Sequence, residues 1–259
     1  MIKTIVHYSD LHLKLYKYHE RDKSILETAL KEWKEIKPDR IVFTGDLVHS
    51  KNQMTPELIR LLSWWMTETA KICPNIYLIG NHDFLENNQD RLDAITPIVE
   101  NLNNQNITYY KDKGCYVDDN VTWCVYSLVQ ENEKPEIMVT DKIKIGLFHG
   151  PIVGLKTDIG FEFEDGYNAE IFDGCDLVLA GDIHKRQIFD IPNDKKAYMV
   201  GSTICQNYGE NIKNHGYGVL NLKDFSYTFV FKFSKLLSSE ACSKASERIA
   251  IYFFSIPFS

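Results

Sequence analysis

Three short apolar runs, each ending abruptly in carboxylates, amides or imidazoles, set most of what this chain can become. "KTIVHYS" (3–9) leads into Asp10, "DRIVFTGD" (39–46) ends at Asp46, and "NIYLIGNHD" (75–83) ends at Asn81, His82 and Asp83. The stretches between them are patterned for helices. Residues 20–36 carry apolar side chains at 25, 26, 29, 30, 33 and 36, a helical stripe. Residues 55–72 read as a second helix, with Thr55 as N-cap and Pro56 at the first helical position. Strand, helix, strand, helix is the rhythm of a parallel sheet joined by crossovers. From about residue 105 the pattern shifts to shorter strands: "NITYY", "GCYV", "VTWCVYSLV", "DKIKIGLFHG", "CDLVLAGDIH", "KAYMVGS", "GYGVLNL" and "SYTFVFKF". The whole predicts an α/β sandwich of two mixed β-sheets flanked by helices.

Composition narrows the class. With 259 residues, 44% hydrophobic and 25% charged, the chain has the make-up of a globular protein with a sizeable core. No run approaches the eighteen apolar residues or so that a membrane span needs. The six cysteines (Cys73, Cys115, Cys124, Cys175, Cys205, Cys242) are scattered without C-x-x-C pairing. The sequence opens directly into a strand with no charged-then-apolar leader. An intracellular protein with reduced thiols is expected, rather than a secreted one. The formal charge of −7 argues against a broad basic face for nucleic acid, yet a polyanion can still bind where cations supply the field locally.

The residues at the strand ends form one series: Asp10 and His12, Asp46 and His49, Asn81, His82 and Asp83, His149, and Asp182 with His184. Singly, each has a bland reading as a turn, a cap or a satisfied core histidine. Together they hold five of the eight histidines, each just after an apolar strand. Side chains at the carboxyl ends of neighbouring strands converge on one crevice. Residues i and i+2 of an extended segment point the same way, so each Asp-x-His pair is expected to aim at one point. Imidazole, carboxylate and amide oxygen suit borderline divalent ions such as Mn²⁺, Fe²⁺ or Zn²⁺. Seven or so ligands are too many for one ion with an open position and about right for two.

The series "SDLH … GDLVH … GNHD … HG … GDIH" resembles the calcineurin-like metallophosphoesterases, and more narrowly the SbcD nucleases and the related meiotic-recombination nucleases. His49, three residues after Asp46, and "VGSTICQNYGE" (200–210) carry the narrower resemblance, particularly to phage and viral members. The resemblance runs from about residue 2 to 222 and implies a four-layer metallophosphoesterase sandwich. It implies one metal held by Asp10, His12 and His184, the other by Asn81, His149 and Asp182, with Asp46 bridging both. His82 and His49 would then be catalytic: His82 gives or orients a proton for the departing oxygen, and His49 steadies charge on the phosphorane. Asp182 departs from the family motif, Gly-His-x-His, which has histidine there. A carboxylate favours harder metals, so two Mn²⁺ ions are expected.

For a DNA substrate, Lys14, Lys17, Lys185 and Arg186 follow the two Asp-x-His loops and are expected at the mouth of the site. The resemblance further implies a homodimer and an SbcC-type ATPase partner. The domain reading is a nuclease domain over 1–233 and a short tail over 234–259, with no capping domain. The expected activity is a metal-dependent DNA exonuclease or endonuclease in repair, recombination or replication. The rivals are a phosphatase or cyclic-nucleotide phosphodiesterase of the same superfamily, a non-catalytic DNA-complex scaffold, and a purely structural metal protein.

Overall fold

The structure, a computed structural model, describes residues 1–14, 16–88, 91–131, 133–137, 140–206, 210 and 215–230. The tail expected at 234–259 and residues 207–209 of the Gly-Ser…Gly-Glu segment lie outside the described residues. Two six-stranded sheets pack face to face. In the first, β1 (Thr4–Tyr8), β2 (Arg40–Thr44), β3 (Asn75–Leu78) and β4 (Ile107–Tyr110) run parallel. An antiparallel pair, β11 (Tyr217–Asn221) and β12 (Ser226–Val230), extends it beyond β1. The second sheet has the order β5 (Gly114–Asp118), β6 (Val121–Val125), β7 (Ile143–His149), β8 (Leu177–Gly181), β10 (Lys195–Met199), β9 (Gln187–Ile191). Its centre, β6-β7-β8-β10, is parallel and both edge strands are antiparallel.

The crossovers are α1 (His19–Ile36), α2 (Pro56–Ala70) and α3 (Thr96–Leu102). The start of α2 follows the sequence: the Thr55 hydroxyl accepts from the Leu58 N–H at 3.3 Å, with Pro56 next to it, satisfying one of the helix's free donors. Sheet one buries both faces, so its strands read as continuous apolar runs rather than alternating ones. Val6, Tyr8, Ile41, Phe43 and Tyr77 pack under Leu26, Ala29, Trp33, Leu62 and Trp65 of the helices. Ile5, Val42, Ile76 and Leu78 face the other way, against Trp123, Val125, Ile145, Leu147, Leu177 and Leu179 of sheet two. The outer face of sheet two is closed by Ile152, Leu155 and Phe172, the last from a 3₁₀ turn at Ala169–Phe172. Among the described residues no helix is long and apolar enough to cross a membrane.

What this architecture positions is one edge. The carboxyl ends of β1, β2, β3, β7 and β8 open on the same side, and the loops leaving them carry the residues of the Asp/His series.

Candidate metal centre

The strand ends come so close that two of them tolerate no side chain before the acidic residue. A Cβ on Gly45 would enter the His149 ring, and one on Gly181 would strike Ser9 Oγ and the Thr44 carbonyl. Glycine therefore precedes Asp46 and Asp182 for reasons of packing. The acidic residues then turn sharply. Asp10 (φ 52°), His12 (φ 42°), Asp46 (φ 65°) and Asp182 (φ 97°) all have left-handed backbones, a cost that L residues bear chiefly where the surroundings hold them to a task. The expected alternation of an extended Asp-x-His segment is thus corrected: both side chains reach one point through left-handed turns, not through strand geometry.

The turns converge. Ligand-type atoms of Asp10, His12 and His184 lie within 4.8 Å of one another, and so do those of Asp10, Asp46 and His149. Between the sets, Asp46 Oδ2 stands 3.3 Å from His12 Nε2 and 3.5 Å from His149 Nε2. His149 Nε2 is also 3.2 Å from Asn81 Oδ1 and 3.7 Å from Asp182 Oδ1. All seven residues read as ligands from the sequence therefore meet in one place. Asp10, His12, Asp46 and His149 are buried, while Asn81, Asp182 and His184 are partly accessible.

Hydrogen bonding behind the rings decides what they present. His149 Nδ1 is 2.6 Å from the Thr44 carbonyl; a carbonyl only accepts, so Nδ1 carries the hydrogen. His184 Nδ1 likewise donates to Glu210 Oε1 at 2.6 Å. In the neutral form that a metal ligand must take, each of these rings would present a lone pair on Nε2; His12 Nε2 lies 3.0 Å from His184 Nε2. Burial opposes protonation of His149, but Asp46, Asp10 and Asp182 together raise its pKa well above the ordinary value. Burial, reinforced by Asp10 and Asp46 and opposed by His149, pushes the Asp182 carboxyl up to about 6. Buried carboxylates this close together need positive charge beside them, which protons on the imidazoles or bound cations supply. The donor set, all oxygen and imidazole nitrogen, fits two divalent cations of the Mn²⁺, Fe²⁺ or Zn²⁺ kind.

At the edge stand the two remaining imidazoles. His82 Nδ1 is 2.7 Å from the His49 carbonyl, fixing its hydrogen there. The His82 ring stacks with His49 at 5.8 Å and meets His12 edge-on at 4.6 Å. Partial burial, with Lys14, His12 and His82 nearby, holds the His49 imidazole below its ordinary pKa. The basic residues are distributed unevenly. Lys14 Nζ donates to the Gln206 carbonyl at 2.8 Å. Lys17 lies over the Tyr18 ring, and Arg186 over the Phe229 ring at 5.5 Å. Lys185 is half-buried in the loop after β8.

Two supporting residues, Glu210 and Lys51, are absent from the sequence-derived series, and a third, Asp83, stands in it without an assigned role. Glu210 braces His184; the "GE" it belongs to carried the resemblance, but its contact is set only by folding. Asp83 is buried and accepts the N–H groups of Asp46 (3.1 Å), Val48 (3.2 Å) and Gly80 (3.0 Å), tying the β2 loop to the β3 loop. Lys51 donates to the Asn81 carbonyl at 2.9 Å. The "GST" turn clamps the two Asp-x-His loops together: Thr203 Oγ1 donates to the Ser9 carbonyl at 2.8 Å and the Ser202 N–H to the His184 carbonyl at 3.0 Å.

Residues 3–186 match the family model described as calcineurin-like phosphoesterase. The uncharacterized protein R555 of Acanthamoeba polyphaga mimivirus is 35% identical over 251 residues, which is 91% of this chain and 18% of that protein. The chain thus spans less than a fifth of the length of that curated relative. A dimetal phosphatase from Danio rerio shares the fold with a TM-score of 0.52 at 11% identity, covering 85% of this chain and 93% of its own. YfcE, a phosphoesterase from E. coli, is similar at a TM-score of 0.43 and 14% identity, over 86% and 96% of the two chains.

Proposed function

This chain belongs to the calcineurin-like phosphoesterase family, and from that premise we propose that it is a two-metal phosphodiesterase whose substrate is DNA, with Mn²⁺ as its metal. The observation that carries the proposal is the pair of imidazoles outside the ligand set: His82 and His49 stack at 5.8 Å beside the cluster. A phosphodiester has a charged centre to be met and a poor leaving oxygen to be protonated, so two such groups have separate work to do.

Asp10, His12 and His184 would hold one cation and Asn81, His149 and Asp182 the other, with Asp46 between them. When bound, the pair would neutralise the phosphate oxygens and acidify a water for in-line attack. The chain's own groups act around that. His184 is held in orientation by Glu210 and His149 by the Thr44 carbonyl, which fixes the nitrogen each presents. His82 anchors its Nδ1–H on the His49 carbonyl, so its imidazolium form would deliver the Nε2 proton to the departing sugar oxygen and be left as the neutral ring. His49, kept below its ordinary pKa, offers a neutral ring to the phosphate side. Lys185, on the loop beside His184, supports contact with a neighbouring phosphate.

The test is cleavage of end-labelled single-stranded and duplex DNA in Mn²⁺ by wild type and His82→Ala, with metal content measured in both. Cleavage by wild type, lost in a variant that keeps its metal, supports the reading. Hydrolysis of nitrophenyl phosphate esters with no cleavage of either DNA would replace it with the phosphatase reading.

A further inference from the structure

Three residues after β10 form a second cluster that shares only Glu210 with the surroundings of the two-metal centre. Cys205, Glu210 and His215 each offer a ligand atom within 4.8 Å of the other two. The Glu210 and His215 side chains are 6% and 1% exposed, and Cys205 is half-buried. His215 is held from behind, with Nδ1 at 2.9 Å from Ser202 Oγ and 3.1 Å from the Ser202 carbonyl. Because the carbonyl only accepts, Nδ1 carries the hydrogen of the neutral ring and Nε2 the lone pair. Among the described residues that Nε2 has no hydrogen-bond partner, and it stands 3.6 Å from Glu210 Oε2. A buried lone pair aimed at a carboxylate, with a thiol alongside, is poor hydrogen bonding. It is a good donor set for a cation: one thiolate and one carboxylate balance a 2+ charge, and the imidazole adds a third ligand.

We propose that Cys205, Glu210 and His215 form a third cation site, taking a borderline divalent ion of the zinc class with water in its fourth position. The site is chemically distinct from the first centre, whose donors include no sulfur. It is joined to that centre through Glu210, which turns Oε1 to His184 Nδ1 and Oε2 toward His215. One carboxylate therefore serves both places. Binding at the thiol does not depend on the catalytic reading.

Co²⁺ titration of the full chain reads the site directly, because a thiolate–cobalt bond gives a near-ultraviolet charge-transfer band that the sulfur-free centre cannot give. The expected result is a band that saturates by three equivalents of Co²⁺ with the amplitude of one thiolate–cobalt bond, is bleached by Zn²⁺, is retained in Cys73→Ser and is absent from Cys205→Ser. No band in wild type, or an undiminished band in Cys205→Ser, overturns the proposal. Zn²⁺ protection of the Cys205 thiol from alkylation, followed by peptide mapping, provides a second readout on unaltered protein. Protection of at least tenfold, lost in His215→Gln, is expected; an alkylation rate indifferent to Zn²⁺ refutes the site. Failure of DNA cleavage would leave the cobalt band in place, and failure of the band would leave Mn²⁺ binding in place, so the two readings fall separately.

Discussion

Glu210 Oε1 accepts a hydrogen bond from His184 Nδ1 at 2.6 Å, across 26 residues of sequence. Burial lowers the pKa of His184, but this bond, with the charges of Asp10, Glu210 and Asp46, outweighs it and raises the ring's basicity. A more basic, correctly oriented imidazole is a better metal ligand. Glu210→Gln is predicted to weaken binding of the cation held by Asp10, His12 and His184 about 10–100-fold. Isothermal titration with Mn²⁺ checks this; unchanged affinity at both positions would mean that the bond is idle.

Asp83 is a structural brace whose loss should be felt in the whole fold. Burial and the neighbouring Asp46 push its carboxyl up to about 8, while the N–H groups of Gly80 and Val48 favour the charged form. Asp83→Ala leaves three buried N–H groups unsatisfied. At about 1–3 kcal/mol for each group, a loss of at least ~3 kcal/mol is predicted in urea unfolding, together with displacement of Asp46 and lost metal binding. Asp83→Asn, which keeps one acceptor oxygen, should retain part of both.

Gly45 fixes the approach of β2 to β7. Its φ of +102° and the His149 ring against its missing Cβ mean that Gly45→Ala must strain the backbone and displace a ligand at once. Thermal denaturation should show a drop larger than the ~1 kcal/mol typical of a point substitution, and Mn²⁺ should no longer shift the melting temperature. A surviving shift would place His149 outside the metal set.

Acid stability should depend on a histidine outside the proposed metal set. His7, on β1, is fully buried, with Nδ1 2.7 Å from the Tyr227 hydroxyl of β12 and Nε2 2.9 Å from Thr44 Oγ1 of β2. Burial, only partly offset by Asp10, lowers its pKa to about 3, against about 6.5 in an unfolded chain. Between those values the unfolded state binds the proton and the folded state does not, so stability rises with pH across that window and is lost as pH falls. Between pH 6.5 and 5 the loss from this one group is predicted to be ~2 kcal/mol. His7→Gln should show a shallower acid decline than wild type in denaturant titrations at the two pH values. Parallel declines would rule His7 out as the source.

Much of sheet one was legible because local signals agreed: apolar runs for β1, β2 and β3, a helical stripe for α1, and the Thr55-Pro56 start for α2. Elements with weak local signals were missed. The seven residues of α3 contain Pro97 and Asn101, too short a stripe to stand out, and β9, "QIFDI", alternates over only five residues. Strand order was not readable, since β11 pairs with β1 across more than 200 residues and that choice lies in tertiary packing. The site shows the same division. Asp10, His12, Asp46, Asn81, His149, Asp182 and His184 announced themselves by following apolar strands. Glu210 and Lys51 did not, and Asp83 stood in the series without a role, because each acquires its role from a partner distant in sequence or from the backbone of another loop. The left-handed turns at Asp10, His12, Asp46 and Asp182 were likewise invisible, as nothing in an Asp-x-His triplet marks them.

The account stands on two cations sharing Asp46, and electron paramagnetic resonance of the Mn²⁺-loaded chain tests that most directly. Two ions held by a common carboxylate are magnetically coupled. The predicted result is a coupled multiline spectrum at two equivalents of Mn²⁺, replaced in Asp46→Ala by the six-line signal of isolated ions. A six-line spectrum from wild type at every stoichiometry would mean the residues do not hold a pair, and the two-metal reading would have to be abandoned.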